Sequence, residues 1–435
     1  MDANTGITKH LILEIVIMLY LAQLVFPLPF QYLPFQLSSN YFYSALVFAT
    51  FAILYPRSYL SKGLLAFYVF IFVRLFFTPL FWSNREYGYE GYLNLKSTII
   101  NFYPLFIAIL VYFHYINKQD YYTLGRICKR ALILSLFGVI NSFFIFRVYP
   151  QAMMEYVGSE AKGTQILAAR YKSLGLLGYG FFNALCSIFP LFVYMIKTTT
   201  IHTSKKIWWI LLAVITWITI LLTNTTAFFL FATIFGIAAW ILRPDYKKDI
   251  YILIALLLVV IFIIPSSFTA QIFYKSSELF PESKIGIRLY DAGLTIENPY
   301  IDYYSSPTHA GMRLGRIPLL WESFLSNPLI GGGLNTGHVA WLDMLSMFGL
   351  LGFVPWLWLI IDNYKRNLKI IHPTYIPYYM LCVIAFVAMG FLKNTGYAHT
   401  WIFWFLIAPG ANFIYINNYN DISNNNYIMR VNNNV

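Results

Sequence analysis

The stretch Gly315-Arg316-Ile317-Pro318-Leu319-Leu320-Trp321 decides how this chain is read, together with Asn327-Pro328-Leu329-Ile330-Gly331-Gly332-Gly333, His338-Val339-Ala340-Trp341-Leu342-Asp343 and Gly349-Leu350-Leu351-Gly352. It runs from a polar segment into a long apolar one. An arginine, a glycine-rich turn and a histidine therefore fall at the lip of an expected membrane helix, where ionisable groups are costly and point to chemistry.

Outward from that stretch the chain is apolar. Of its 435 residues 59% are hydrophobic and 11% charged, against about 25% charged in soluble domains. The expected fold class is an all-α, polytopic integral membrane protein. Apolar runs of spanning length predict about twelve helices: nine within 1–265, the first near 10–29 and retained because no cleavage site follows it, and three within 338–416. Between these sets lies a large outer loop, 266–337, carrying one short interfacial helix. Residues 417–435 form an Asn-rich cytoplasmic tail. The narrowest division is Thr223-Asn224-Thr225-Thr226, the polar break between the seventh and eighth spans.

The net charge of +12 does not imply nucleic acid, because the basic residues sit in short gaps between apolar runs and set topology. Arg57 and Lys62, then Lys118, Arg126, Lys129 and Arg130, then Lys197, Lys205 and Lys206, Arg243, Lys247 and Lys248, and finally Lys365, Arg366 and Lys369 mark the cytoplasmic gaps. Both termini are then expected inside, with 83–96, 150–173 and 266–337 outside. Cys128 falls in a basic gap and Cys186 and Cys382 in apolar runs, so no disulfide is expected.

Pro318 suits the first turn of a short helix that Asn327-Pro328 stops. Arg316, just ahead of it, reads either as a diphosphate-binding guanidinium beside unpaired N–H groups or as an arginine snorkelling to lipid headgroups. Arg313 is a second candidate for the same anion. Gly331 and Gly333 allow close approach to a ligand or a sharp re-entry turn. His338 reads as a proton acceptor near neutral pH or as a hydrogen-bonded structural residue, with Asp343 on the same helix as its partner or as a helix contact. Arg170 and Lys172 stand at the outer entrance of the sixth helix. Arg74, expected in the middle of the third helix, is a candidate by its place in the membrane. No Gly-x-x-x-x-Gly-Lys-Ser/Thr, His-Glu-x-x-His or Cys-x-x-Cys motif is present. The first outer loop, 31–40, carries no carboxylate, so neither a metal nor another cofactor is expected.

The block from Gly315 to Gly352 resembles the O-antigen ligase and polymerase superfamily. Arg316 with Leu320-Trp321, Pro328-Leu329 with Gly331 and Gly333, His338, and Gly349 to Gly352 carry the resemblance. Val339 departs from the polar residue common after the histidine, and Thr225-Thr226 stands where a Ser-Arg pair is common. Arg170, followed by Gly175, Gly178 and Asn183, matches a further family feature only loosely. The resemblance implies an inverting glycosyltransferase at the outer, periplasmic face of a bacterial inner membrane. A glycan on undecaprenyl diphosphate would be donor, and a sugar hydroxyl on a second lipid-linked repeat unit acceptor. On this view His338 orients or deprotonates the hydroxyl, while Arg316, helped by Arg313 or Arg170 and by Gly331 and Gly333, holds the diphosphate; Asp343 and Trp321 support them. The expected partners are undecaprenyl-diphosphate-linked glycans, membrane lipid and a chain-length regulator. A polymerase of O-antigen or capsule repeats is preferred to a ligase to lipid A core. The rival from another class is a lipid-linked oligosaccharide flippase, which would hide its ionisable residues near the bilayer midplane.

Overall fold

The computed structural model describes residues 3–77, 95–153, 155–156, 165–198, 203–223, 225–243, 266–281, 284–297 and 315–414. The expected ninth span at 250–265, Arg313, His202, His309, most of the segment 83–96 and the tail 417–435 lie outside the described residues. The described residues are all helix, turn and loop, with no strand among them.

The apolar runs become α1 (Ala3–Val25), α2 (Asn40–Leu54), α3 (Leu65–Phe76), α4 (Leu95–Asn117) and α5 (Tyr121–Val148). Short polar residues start two of them. The Ser39 hydroxyl accepts from the N–H of Tyr41 and the Asp120 carboxylate from that of Thr123, each satisfying a donor that the helix itself leaves open. Next come α6 (Gln165–Ser173), α7 (Tyr179–Ser187), α8 (Phe189–Thr198), α9 (Thr203–Leu222) and α10 (Thr226–Ile241). Thr8–Val25, Ile99–Asn117, Tyr121–Val148 and Ala340–Ile370 are long and apolar enough to cross a membrane, and α7 with α8 makes a further such span bent by 46°. The sixth apolar run, expected as one span near 174–196, is thus two helices. The break expected at 223–226 is present, and α9 and α10 fold back on each other there: the Trp217 indole N–H donates to Thr233 Oγ1 at 2.9 Å.

Residues from distant parts of the sequence meet at two ends of the bundle. At one end the ring of His399 lies 3.0 Å from the Leu24 carbonyl, and the Asn183 amide donates to the Asn394 carbonyl at 2.9 Å. At the other, Ser58 Oγ lies 2.7 Å from His114 Nδ1, the His372 N–H donates to Asn412 Oδ1, and Tyr378 donates to the Leu242 carbonyl. Basic side chains gather at this second end. Lys118 sits 3.6 Å over the Tyr55 ring, and Arg126 and Arg130 both pair with the buried Glu14 carboxylate of α1. Between the ends the core is aromatic, as the 20% content of Phe, Trp and Tyr demands. Phe386 stacks on Trp404 with centroids 4.4 Å apart, and Tyr194 lies against Tyr375 and Tyr378.

The segment 266–337, expected as an outer loop with one short helix, holds more helix than that among its described residues. It contains α11 (Ser266–Glu278) and α12 (Lys284–Glu297) in close contact, besides the expected short helix α13 (Arg316–Ser326). Ile285 and Leu289 are buried, and the Tyr274 hydroxyl donates to Glu297 at 2.7 Å. That hydrogen bond to a carboxylate pushes the Tyr274 phenol up to about 12. Phe280 at the end of α11 meets Phe229 of α10, placing this pair of helices at the first end of the bundle. The chain then runs through α14 (Ala340–Ile370), α15 (Ile376–Leu392) and α16 (Ala398–Ile402), after which a π turn and short helical turns lead to Phe413.

Candidate active site

Four N–H and O–H donors of the loop before α14 converge on one carboxylate. Asp343 Oδ1 accepts from the Thr336 N–H at 2.7 Å and the Thr336 hydroxyl at 2.9 Å; Oδ2 accepts from the N–H groups of His338 at 3.0 Å and Val339 at 2.9 Å. The side chain is buried. Asp343 thus holds the backbone that carries His338, whose side chain is half-buried. Arg316 lies within Coulombic reach of the same carboxylate.

Arg316 is the first residue of α13, not a residue ahead of it. Pro318 sits in the first turn as expected, and because it has no N–H of its own it reduces the donors open at that helix start. The helix ends at Ser326, and the Asn327-Pro328-Leu329 segment that follows turns back against α14.

That contact corrects the reading of the glycines. Helix α14 is broken at Gly349, where φ is 55° and ψ −160°. The N–H groups of Leu350 and Leu351, freed by the break, donate to the carbonyls of Pro328 at 2.9 Å and Leu329 at 3.0 Å. In the other direction the Gly333 N–H donates to the Ser346 carbonyl at 3.2 Å, while the Gly331 N–H donates to the Asn327 carbonyl at 2.7 Å. The N–H groups of Gly331 and Gly333 are thus engaged within the protein and are not set out as donors for a diphosphate. Their place is the re-entry turn, where φ of 80° and 85° suits glycine.

Trp321, expected to support the site, is 47% exposed and lies against Phe324 of its own helix. Arg170 is exposed on α6, where its guanidinium donates to the Tyr149 hydroxyl at 3.0 Å and lies over that ring. Its neighbour Tyr171 donates to Glu155. Burial, followed by this bond to a carboxylate, pushes the Tyr171 phenol up to about 12. Arg170 is built into this cluster around Tyr149, apart from the contacts that join Arg316, Asp343 and His338.

Beside Asp343 opens a cavity of about 700 Å³, its open mouth included, between α3, α4, α14 and the loops before α14 and α16. Arg74 lines it. This arginine stands in the last turn of α3 and not at its middle; it is buried, and its guanidinium lies 3.2 Å from the centroid of the Phe348 ring. Trp341, Trp356 and Trp401 form much of the wall. The sequence flagged Arg74 for its position alone; nothing local to it foretold the Phe348 contact, which joins α3 to α14. Among the described residues, no three metal-ligating side chains converge. No family model matches the chain, and no curated protein matches it.

Proposed function

We propose that this chain is an inverting glycosyltransferase that joins undecaprenyl-diphosphate-linked oligosaccharide repeat units of O-antigen or capsule at the periplasmic face of a bacterial inner membrane. The observation that carries this reading is the Asp343 centre, which fixes the His338 loop and lies in Coulombic reach of Arg316. An arginine and an imidazole at one end of an apolar bundle suit a diphosphate leaving group and an attacking hydroxyl. The acceptor oxygen attacks the anomeric carbon, the carbon–oxygen bond to the diphosphate breaks, and the hydroxyl proton passes to His338. Arg316 balances the charge that grows on the departing diphosphate, joined by Arg313 in the same segment.

In this proposal about twelve helices cross the membrane and both termini are cytoplasmic. Its support is that the basic side chains gather at the end opposite Asp343, since cytoplasmic loops carry the excess of lysine and arginine. A polymerase is preferred to a ligase acting on lipid A core. The buried Arg74 favours one reading of another class, a lipid-linked oligosaccharide transporter, because such proteins keep ionisable groups within the membrane.

The test is glycan chain length in a strain lacking its own polymerase and supplied with variants of this chain. His338→Ala should reduce polymer by about a hundredfold or more, at unchanged protein level. Full-length chains from His338→Ala at normal abundance would remove the base from the mechanism. Accumulation of unpolymerised lipid-linked units on the cytoplasmic side alone would favour the transporter.

A further inference from the structure

The tripeptide Asn-Thr-Gly occurs at Asn335-Thr336-Gly337, before α14, and again at Asn394-Thr395-Gly396, before α16. The two copies fold alike. In each, the asparagine side-chain oxygen accepts from the glycine N–H two residues on, at 2.9 Å for Asn335 and 2.8 Å for Asn394. Both turns line the same cavity. With each oxygen engaged in its turn, the NH₂ group is the part of the amide left for a ligand, and neither has a partner among the described residues. Asn101 of α4 adds a third amide to the lining.

The walls between these amides are indoles. Trp401 lines the cavity, is buried to 3% exposure, and has an indole N–H with no hydrogen-bond partner among the described residues. A buried donor without a partner is costly and calls for an acceptor from a ligand or water. The one carboxylate in the lining, Asp343, already accepts four hydrogen bonds from its own loop. The Arg74 guanidinium adds positive charge, which disfavours a cationic occupant.

We propose that this cavity seats one pyranose ring of the glycan, with the NH₂ groups of Asn335 and Asn394 donating to its oxygens and an indole face against its C–H groups. Sugars combine an apolar face with a ring of hydroxyls, and each hydroxyl both donates and accepts. Amides and tryptophans in one concave site match both properties. Asn335 lies on the loop that carries His338, three residues before it. The proposal rests on the glycosyl-transfer reading for its choice of ligand, and its test is an equilibrium measurement that needs no turnover.

The purified full-length chain in detergent is titrated with glucose, galactose, N-acetylglucosamine, rhamnose and glucuronate, each up to ~50 mM because single-sugar contacts fall near the millimolar range. Tryptophan emission reports occupancy, and inorganic pyrophosphate serves as the non-sugar control. Asn335→Asp and Asn394→Asp keep the oxygen that closes each turn and replace the NH₂ donor; unchanged melting curves confirm that they fold. A saturable response to at least one sugar, weakened about fivefold or more in these variants, is the expected result. No saturable response to any sugar, an equal response in both variants, or a pyrophosphate response that the variants abolish would overturn the sugar site. Sugar binding in a chain that makes no polymer in cells would instead remove the transferase reading and leave the subsite standing.

Discussion

Gly331 and Gly349 meet backbone to backbone. A Cβ added at Gly331 would stand 2.8 Å from the nitrogen of Gly349, and one added at Gly349 would stand 2.6 Å from the nitrogen of Gly331. The Pro-Leu-Ile-Gly turn and the Gly-Leu-Leu-Gly segment, far apart in sequence, are two sides of one joint. The joint closes the hydrogen bonds that the break in α14 opens, and it holds α13, with Arg316 at its start, against the helix that carries Asp343.

Substitution at this joint should be harsh and shared. Gly331→Ala places a methyl group 2.4 Å from the Ser346 carbonyl oxygen at a positive φ. The backbone conformation alone costs about 1–3 kcal/mol for a residue other than glycine. Gly331→Ala and Gly349→Ala should each lower the melting temperature in detergent, and the double variant should lose less than the sum because one joint is broken twice. Full additivity would show that the two glycines act separately.

Asp343→Asn keeps the size of the side chain but turns an NH₂ group toward donors. Either the Thr336 N–H and hydroxyl or the N–H groups of His338 and Val339 then lose their acceptor, at about 1–3 kcal/mol for each buried group. Hydrogen exchange should quicken at residues 336–339 by about tenfold or more, while α15 keeps its protection. Unchanged exchange at His338 would mean that the carboxylate does not hold the loop.

Orientation can be read by labelling. The native Cys128, Cys186 and Cys382 are buried, so a membrane-impermeant maleimide has little background. Glu322→Cys, exposed on α13, should be labelled from outside intact cells, and Lys118→Cys only after permeabilisation. The same response from both would refute the proposed topology.

Arginine chemistry at the diphosphate predicts turnover without added divalent cation. A purified preparation with lipid-linked repeat units and a chelator should still extend glycan. Arg316→Lys should fall well below wild type under the same conditions, because an ammonium cannot reproduce a two-point guanidinium contact. Product that vanishes with chelator and returns with magnesium would assign the charge to a metal instead.

Much of the fold was legible along the chain because hydrophobicity is a local and additive property. Most apolar runs among the described residues are helical, although α5 begins at Tyr121 and α14 runs on to Ile370, through basic residues that the apolar pattern left in the gaps; the Thr223–Thr226 break is real, and α13 starts and stops at the residues that Pro318 and Asn327-Pro328 signal. Less was legible where local pattern carries two meanings. The helices α11 and α12 are polar enough to read as loop, and the bend between Ser187 and Phe189 interrupts a run that stays apolar throughout.

The residue types of the site, Arg316, the glycines, His338 and Asp343, were set by the sequence; which groups each one meets was decided by tertiary structure. A carboxylate looks the same in a sequence whether it faces a lipid, a helix or a loop, and only the folded chain turns the N–H groups of Thr336, His338 and Val339 toward Asp343. Glu14, in α1, likewise shows its two arginine partners only when α1 and α5 pack together. Composition determined that this chain is an apolar helical bundle, because burial depends on how much apolar surface there is. The geometry of hydrogen bonds between distant segments needs positions and directions, and those exist only once the helices have packed.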